Sequence, residues 1–292
     1  MVPAAARAPR CLSLCVLTTG GGTQRSLRRA GESVVVSNDL SYPSEAPVRI
    51  PLLAPVVALL LIVPACGGGG GGGGDPLDPV FSVPLLSKPF ASAVFSGDVI
   101  DNPLFPLIPG TRTIFEGDTA DGREQVVVEV TYQTKVILGV TCVVVHDQVF
   151  LDGSMIEDTF DWFAQSDAGD VWYFGEDSKE ILNGVVQNTN GSFEAGVNGA
   201  SAGIIMLAAP AVGQAYAQED APGIAEDRAH VEGLLDIVTV PLATYNGCLH
   251  TRDFTPLEPD HIEDKYYATG VGNILTISPD GDRIELIAIE MF

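Results

Sequence analysis

From about residue 125 onward, apolar and polar positions alternate in short runs separated by glycine, proline, asparagine and aspartate. A period of two is the signature of strands with one buried face. Residues 125–132 (Gln-Val-Val-Val-Glu-Val-Thr-Tyr) follow a turn at Asp121-Gly122, and residues 136–151 are β-branched and apolar, broken at Gly139 and ended by Asp152-Gly153. Asp-Gly between apolar runs is a strong short-range hairpin signal. Runs 155–164 and 171–174 flank a further hairpin at 166–170, and 203–207, 231–240, 248–254 and 266–268 continue the series. A last pair, 274–277 and 283–289, is joined through Pro279-Asp-Gly-Asp282. Roughly a dozen short strands are expected, with no long amphipathic helix to serve as a crossover between parallel strands. The fold class that follows is all-β and mainly antiparallel, a single domain whose sheet is curled or barrel-like. Residues 81–109 hold Pro84, Pro89, Pro103, Pro106 and Pro109 and read as a Pro-rich lead-in lying over that domain.

A different pattern stands upstream. Residues 51–63 form an uncharged apolar run, preceded by Arg49 and followed by Pro64-Ala65-Cys66. A bilayer-spanning helix takes about 20 residues, so this run has the length of a signal-peptide core instead. Ala65 directly before Cys66, with Val63 two residues further back, resembles the lipobox of bacterial lipoproteins, although Pro64 is unusual there. The resemblance implies that Cys66 is diacylated and becomes the mature N-terminus, two acyl chains being enough for stable anchoring. The glycine run from Gly67 to Gly74 then reads as a flexible tether. The expected organisation is a non-native or disordered extension over 1–47, with translation starting near Val48, and a lipoprotein signal peptide over 48–65. The lipidated cysteine and tether occupy 66–80, and a single β-rich domain fills 81–292. The corresponding location is exported and bacterial membrane-anchored, facing periplasm or cell surface, with the membrane as partner through the lipid.

Charge narrows the partners further. The chain carries 38 acidic and 15 basic side chains; without the three acidic and six basic ones before Cys66, 35 and 9 remain, a formal charge of −26. A surface that negative repels phosphate backbones, so no nucleic-acid partner is expected. Of the five cysteines, Cys142 and Cys248 fall in the domain. In an oxidising compartment they form a possible disulfide; as small apolar side chains they equally suit a core.

Several runs resemble a group of uncharacterised bacterial secreted proteins and lipoproteins. They are Glu157-Asp-Thr-Phe-Asp-Trp-Phe-Ala-Gln165, Gly169-Asp-Val-Trp-Tyr-Phe-Gly-Glu-Asp177, Gly191-Ser-Phe-Glu-Ala-Gly196 and Lys265-Tyr-Tyr-Ala-Thr-Gly-Val-Gly272. The resemblance covers roughly residues 95–289 and implies export without a particular chemistry. Thr269 stands where such sequences usually carry proline. The Gly-Val-Gly hairpin is also similar to envelope lipid carriers with a curled antiparallel sheet, a likeness of architecture only.

Candidate chemistry is sparse. Gly199-Ala-Ser-Ala-Gly203 matches the nucleophile-elbow pattern around Ser201, but that chemistry needs a strand-to-helix turn and a later acid and histidine. Glu157 and Asp161 share one face of a strand, and Glu176 stands across the hairpin; oxygen-rich sets of this kind suit calcium. Acidic residues at β-turns are also ordinary solvated edges. Trp162 and Trp172 flank the same hairpin, either lining a ligand cavity or packing across strands. His146, His230, His250 and His261 lack zinc-site spacing, and no Walker or dinucleotide loop is present. The expectation is therefore a non-catalytic envelope lipoprotein without an obligatory cofactor, binding an apolar small molecule or lipid, or serving as a scaffold. The alternatives are a secreted hydrolase using Ser201 or the acidic hairpin, and a calcium-stabilised structural domain.

Overall fold

The computed structural model describes residues 78–292. The expectations for 1–47, 48–65, Cys66 and the glycine run lie outside those residues. Fifteen strands follow in chain order: β1 (Thr111–Thr119), β2 (Gly122–Ile137), β3 (Val140–Leu151), β4 (Ser154–Gln165), β5 (Val171–Leu182), β6 (Val185–Asn188), β7 (Phe193–Glu194), β8 (Ser201–Met206), β9 (Ala215–Ala217), β10 (Glu219–Asp220), β11 (Arg228–Thr239), β12 (Thr244–Thr255), β13 (Glu258–Ala268), β14 (Gly272–Ile277) and β15 (Arg283–Met291). Only two short 3₁₀ turns accompany them among the described residues.

All strands belong to one sheet in the order β10-β8-β5-β4-β3-β2-β1-β15-β14-β13-β12-β11-β9, with β6 and β7 also on β5. Its pairings are antiparallel, as the hairpin signals require, and the sheet curls into a nearly closed barrel. Closure comes from one stretch of chain. Ala215–Ala217 pairs with β11 at one margin, and two residues later Glu219–Asp220 pairs with β8 at the other. At this seam a Cβ on Gly203 would lie 2.1 Å from the Gln218 carbonyl oxygen. Glycine is required by proximity.

Strand alternation decides what fills the interior. On β2 the residues Glu124, Val126, Val128 and Val130 are buried in alternation, and on β3 Val143, Val145, Asp147 and Val149 are. On β4 the corresponding row is Glu157, Thr159, Asp161 and Phe163. Read along the barrel, the β2 and β4 rows run from apolar at one end to acidic toward the other, while on β3 Asp147 sits between Val145 and Val149. The ends differ in the same sense. Tyr132, Val136, Leu138, Leu235, Ile237 and Met291 stand exposed toward the end holding the β2–β3 and β11–β12 turns. The opposite end holds the β1–β2, β3–β4, β12–β13 and β14–β15 turns, which carry Asp121, Asp152, Glu258, Asp280 and Asp282.

The Pro-rich lead-in does lie over the sheet. Its Phe90 and Phe95 meet Trp172 and Phe174 edge-on, with centroids 5.5–6.3 Å apart. Asn102 reaches under the sheet end to donate to the carbonyls of Gly169 and Leu207 at 3.0 and 3.2 Å.

Candidate functional site: an acidic interior and its mouth

From β2, β3, β4, β5 and β10, six buried carboxyls project into the barrel: Glu124, Asp147, Glu157, Asp161, Glu176 and Glu219. Register brings them together. Asp161 pairs with Glu176 across β4 and β5, Thr159 pairs with Ser178, and Asp147 pairs with Thr159 across β3 and β4. Charge is costly where water is excluded, so burial pushes these groups toward their neutral forms. Glu157 rises to about 8, Asp161 and Glu124 to about 7, and Asp147, Glu176 and Glu219 well above the usual carboxyl range.

Hydrogen-bond counting leads independently to the same protonation. The Tyr173 hydroxyl lies 2.6 Å from Asp161 Oδ1 and 3.0 Å from Glu176 Oε2. A phenol has one hydrogen. It donates to one carboxylate and must accept from the other, so one of these two acids holds a proton.

The opposite wall sets a cation between its buried carboxyls. Lys265 Nζ stands 3.3 Å from both Asp253 and Glu263. Thr251 and Gln218 donate to Asp253 at 2.7 and 3.1 Å. Burial opposes ionisation of Glu263, but Lys265 and His261 outweigh it and hold that carboxyl below its ordinary value.

The acidic interior opens at the barrel end formed by the β1–β2, β12–β13 and β14–β15 turns. A cleft of about 490 Å³ there is lined by seven carboxyls: Asp121, Glu124, Glu258, Asp260, Glu263, Asp280 and Asp282. Aspartate and glutamate at turns are common, but three turns converge here because β1, β15, β14 and β13 are successive neighbours in the sheet. Three polar atoms among the lining residues make no hydrogen bond within the protein. They are Glu124 Oε1 and Thr276 Oγ1, on side chains 1% and 2% exposed, and His261 Nε2, which stands 3.5 Å from Glu263 Oε1 as an ion pair. A buried acceptor left without a donor costs on the order of 1–3 kcal/mol. Near the other end an apolar groove between Phe105, Leu107, Phe115, Val128, Phe163 and Val271 encloses about 170 Å³.

No family model matches the chain, and no curated protein is similar to it. Two solved structures resemble it weakly. One is a candidate exported protein with YmcC-like fold from Bacteroides fragilis, at 15% identity and a TM-score of 0.37, covering 64% of this chain and 98% of the other. The second is a candidate lipoprotein from Parabacteroides distasonis, at 12% identity and a TM-score of 0.31, covering 66% of this chain and 100% of its own. Similarity at this level establishes neither a shared fold nor a shared role.

Glu157, Asp161 and Glu176 do occupy one face, but that face is the interior rather than a solvated hairpin edge. Among the described residues no three Asp, Glu, His or Cys side chains are arranged to hold a metal. The calcium expectation therefore gains no ligand set. Trp162 and Trp172 are both buried. Trp162 points outward, with Lys135 Nζ 3.1 Å from its ring centroid, and borders a cavity of about 390 Å³. Trp172 packs under the lead-in.

The disulfide considered from the sequence is absent: Cys142 and Cys248 are buried and free. They lie on β3 and β12, with five strands between them in the sheet, and burial pushes the Cys142 thiol up to about 12. Ser201 begins strand β8, opposite Asp220, and not a strand-to-helix turn. Each histidine instead meets a carboxylate: His146 with Asp158, His230 with Glu232, His250 with Asp264 and His261 with Glu263. Sequence reasoning missed Glu124, Asp147, Glu219 and Thr276. For Glu124 the signal was present, since it continues the alternation of Val126 and Val128 toward the turn.

Proposed function

We propose that the chain is an exported, membrane-anchored, non-catalytic binding domain of a bacterial envelope, with the acidic cleft as its ligand site. The lipobox-like run ending at Cys66 supports the anchor. The observation that carries the binding role is the pair of partnerless buried oxygens, Glu124 Oε1 and Thr276 Oγ1, on the wall of an open cleft. Its volume of about 490 Å³ lies within the range of about 300–1,000 Å³ typical of small-molecule sites. The apolar groove, at about 170 Å³, falls below that range. Support for an apolar or lipid-like ligand is weaker accordingly, because carboxyls occupy the part of the barrel where a lipid carrier needs hydrocarbon-lined space.

Two measurements test the halves separately. Cells expressing the chain with a clickable fatty acid should label the wild type, and Cys66→Ala should lose both the label and membrane fractionation. Amide chemical shifts should be recorded against a panel of cationic, neutral and anionic small molecules. Perturbations confined to the β1–β2, β12–β13 and β14–β15 turns support the cleft; perturbations only elsewhere, or none, refute it.

A further inference from the structure

Resting on the assignment of the cleft as the ligand site, we propose that its ligand is a compact organic cation: a primary ammonium on a short hydrocarbon body, held by Glu124 and Thr276. Four observations converge on this class. The lining is overwhelmingly anionic, with seven carboxyls against one histidine, which disfavours anions. The Glu124 carboxylate can only accept, the Thr276 hydroxyl can accept while it donates elsewhere, and His261 Nε2 is already turned to Glu263; an ammonium brings three donors and no acceptor. Two of its hydrogens satisfy Glu124 Oε1 and Thr276 Oγ1, leaving the third for Glu263 or Asp282, the carboxyls whose charge Glu124 feels most strongly.

A bare divalent ion fits less well. Calcium takes about 6–8 oxygen ligands at short range, and no three metal-ligating side chains are so arranged among the described residues. The cleft is also far larger than one ion. Ile284, Pro259 and Pro279 in its lining offer apolar contact to a carbon chain.

Proton balance adds a signature. Burial first, then Glu263 and Asp282, raise Glu124 to about 7. Asp147 and Glu157 face it from β3 and β4, and His261 stands beside Glu263 on β13. The neutral acid therefore exchanges its proton for the ligand: the protonated carboxyl plus an alkylammonium yields the carboxylate–ammonium pair and a released proton. No bond to carbon forms or breaks.

The test uses diaminobutane and, separately, calcium chloride, titrated calorimetrically into the membrane-extracted full-length product in detergent micelles. Diaminobutane should bind about tenfold tighter at about pH 8 than at about pH 6, following ionisation of Glu124. Heats in buffers of different ionisation enthalpy should report proton release at about pH 6. Glu124→Gln should weaken binding at least about tenfold and abolish the pH dependence. Thr276→Val should weaken it severalfold and leave the proton release intact, which a general unfolding would not do. Unchanged affinity in Glu124→Gln, or calcium binding tighter than diaminobutane and displacing it, overturns the assignment. If diaminobutane fails but a neutral or anionic compound shifts the cleft amides, the cleft stands and the amine falls. If nothing shifts them, both fall.

Discussion

Tyr173 is the residue on which the interior turns. With one hydrogen for two carboxyls, it ties the protein's stability to proton supply. The sign follows from linkage. Glu157 and Asp161 are raised to about 8 and about 7 in the folded chain; unfolded they titrate near 4. Stabilisation by bound protons is thus complete below about pH 4 and is lost as pH rises through about 7 to 8. The melting temperature should fall between about pH 5 and pH 8, and Asp161→Asn together with Glu157→Gln should flatten that slope. Calorimetric scans across the window check it, and a melting temperature that climbs toward pH 8 would contradict the protonated interior. Alternation in the sequence already placed Glu157 and Asp161 on one face. It left that face between a calcium site and a solvated edge, because polarity alone cannot distinguish bulk solvent from a polar interior. Only closure of the sheet, made by β9 and β10 much further along the chain, makes the difference.

At the scale of elements, hairpins were legible and margins were not. Asp152-Gly153 and 166–170 mark turns in the fold as in the sequence. β1 escaped notice because Thr111–Thr119 holds only Ile114 and Phe115 as large apolar residues, so its alternation is faint. β13 looked like three residues, Tyr266 to Ala268, because the rest of Glu258–Ala268 is dominated by charge and that charge faces partners such as Lys265 and His261. The seam was invisible, since β9 and β10 are three and two residues long and are defined by pairing partners far away in sequence.

The seam is also the weakest point for added volume. Gly203→Ala should cost about 1–3 kcal/mol, seen as a lower urea midpoint, whereas Gly97→Ala, with open space around it, should leave the midpoint unchanged. Equal midpoints for the two variants would remove the close approach at Gln218. The free cysteines offer a second check. Buried Cys142 and Cys248 should resist Ellman's reagent in the native protein, and both should react once urea unfolds it. A native protein lacking both thiols would point to a bridge instead.

For the molecule as a whole, what matters is how carboxyls are distributed along the barrel. Turns at one end carry Asp121, Asp152, Glu258, Asp280 and Asp282; at the other, the turn at Leu138-Gly139 and the chain from 266 to 275 carry none, and the β4–β5 turn carries Asp167 and Asp170, the latter paired with Lys88. Such a body has a permanent electric dipole along its long axis. If the anchor proposed at Cys66 holds the domain beside an anionic leaflet, the field acts as a torque, swinging the carboxyl-laden pole outward into the aqueous phase over distances comparable to the roughly 8 Å screening length. On that proposed anchor, raising ionic strength should loosen the orientation without detaching the protein, a separation that polarised infrared spectroscopy on supported bilayers can read. The cleft would then open toward passing solutes, and the barrel itself would serve as a compass needle.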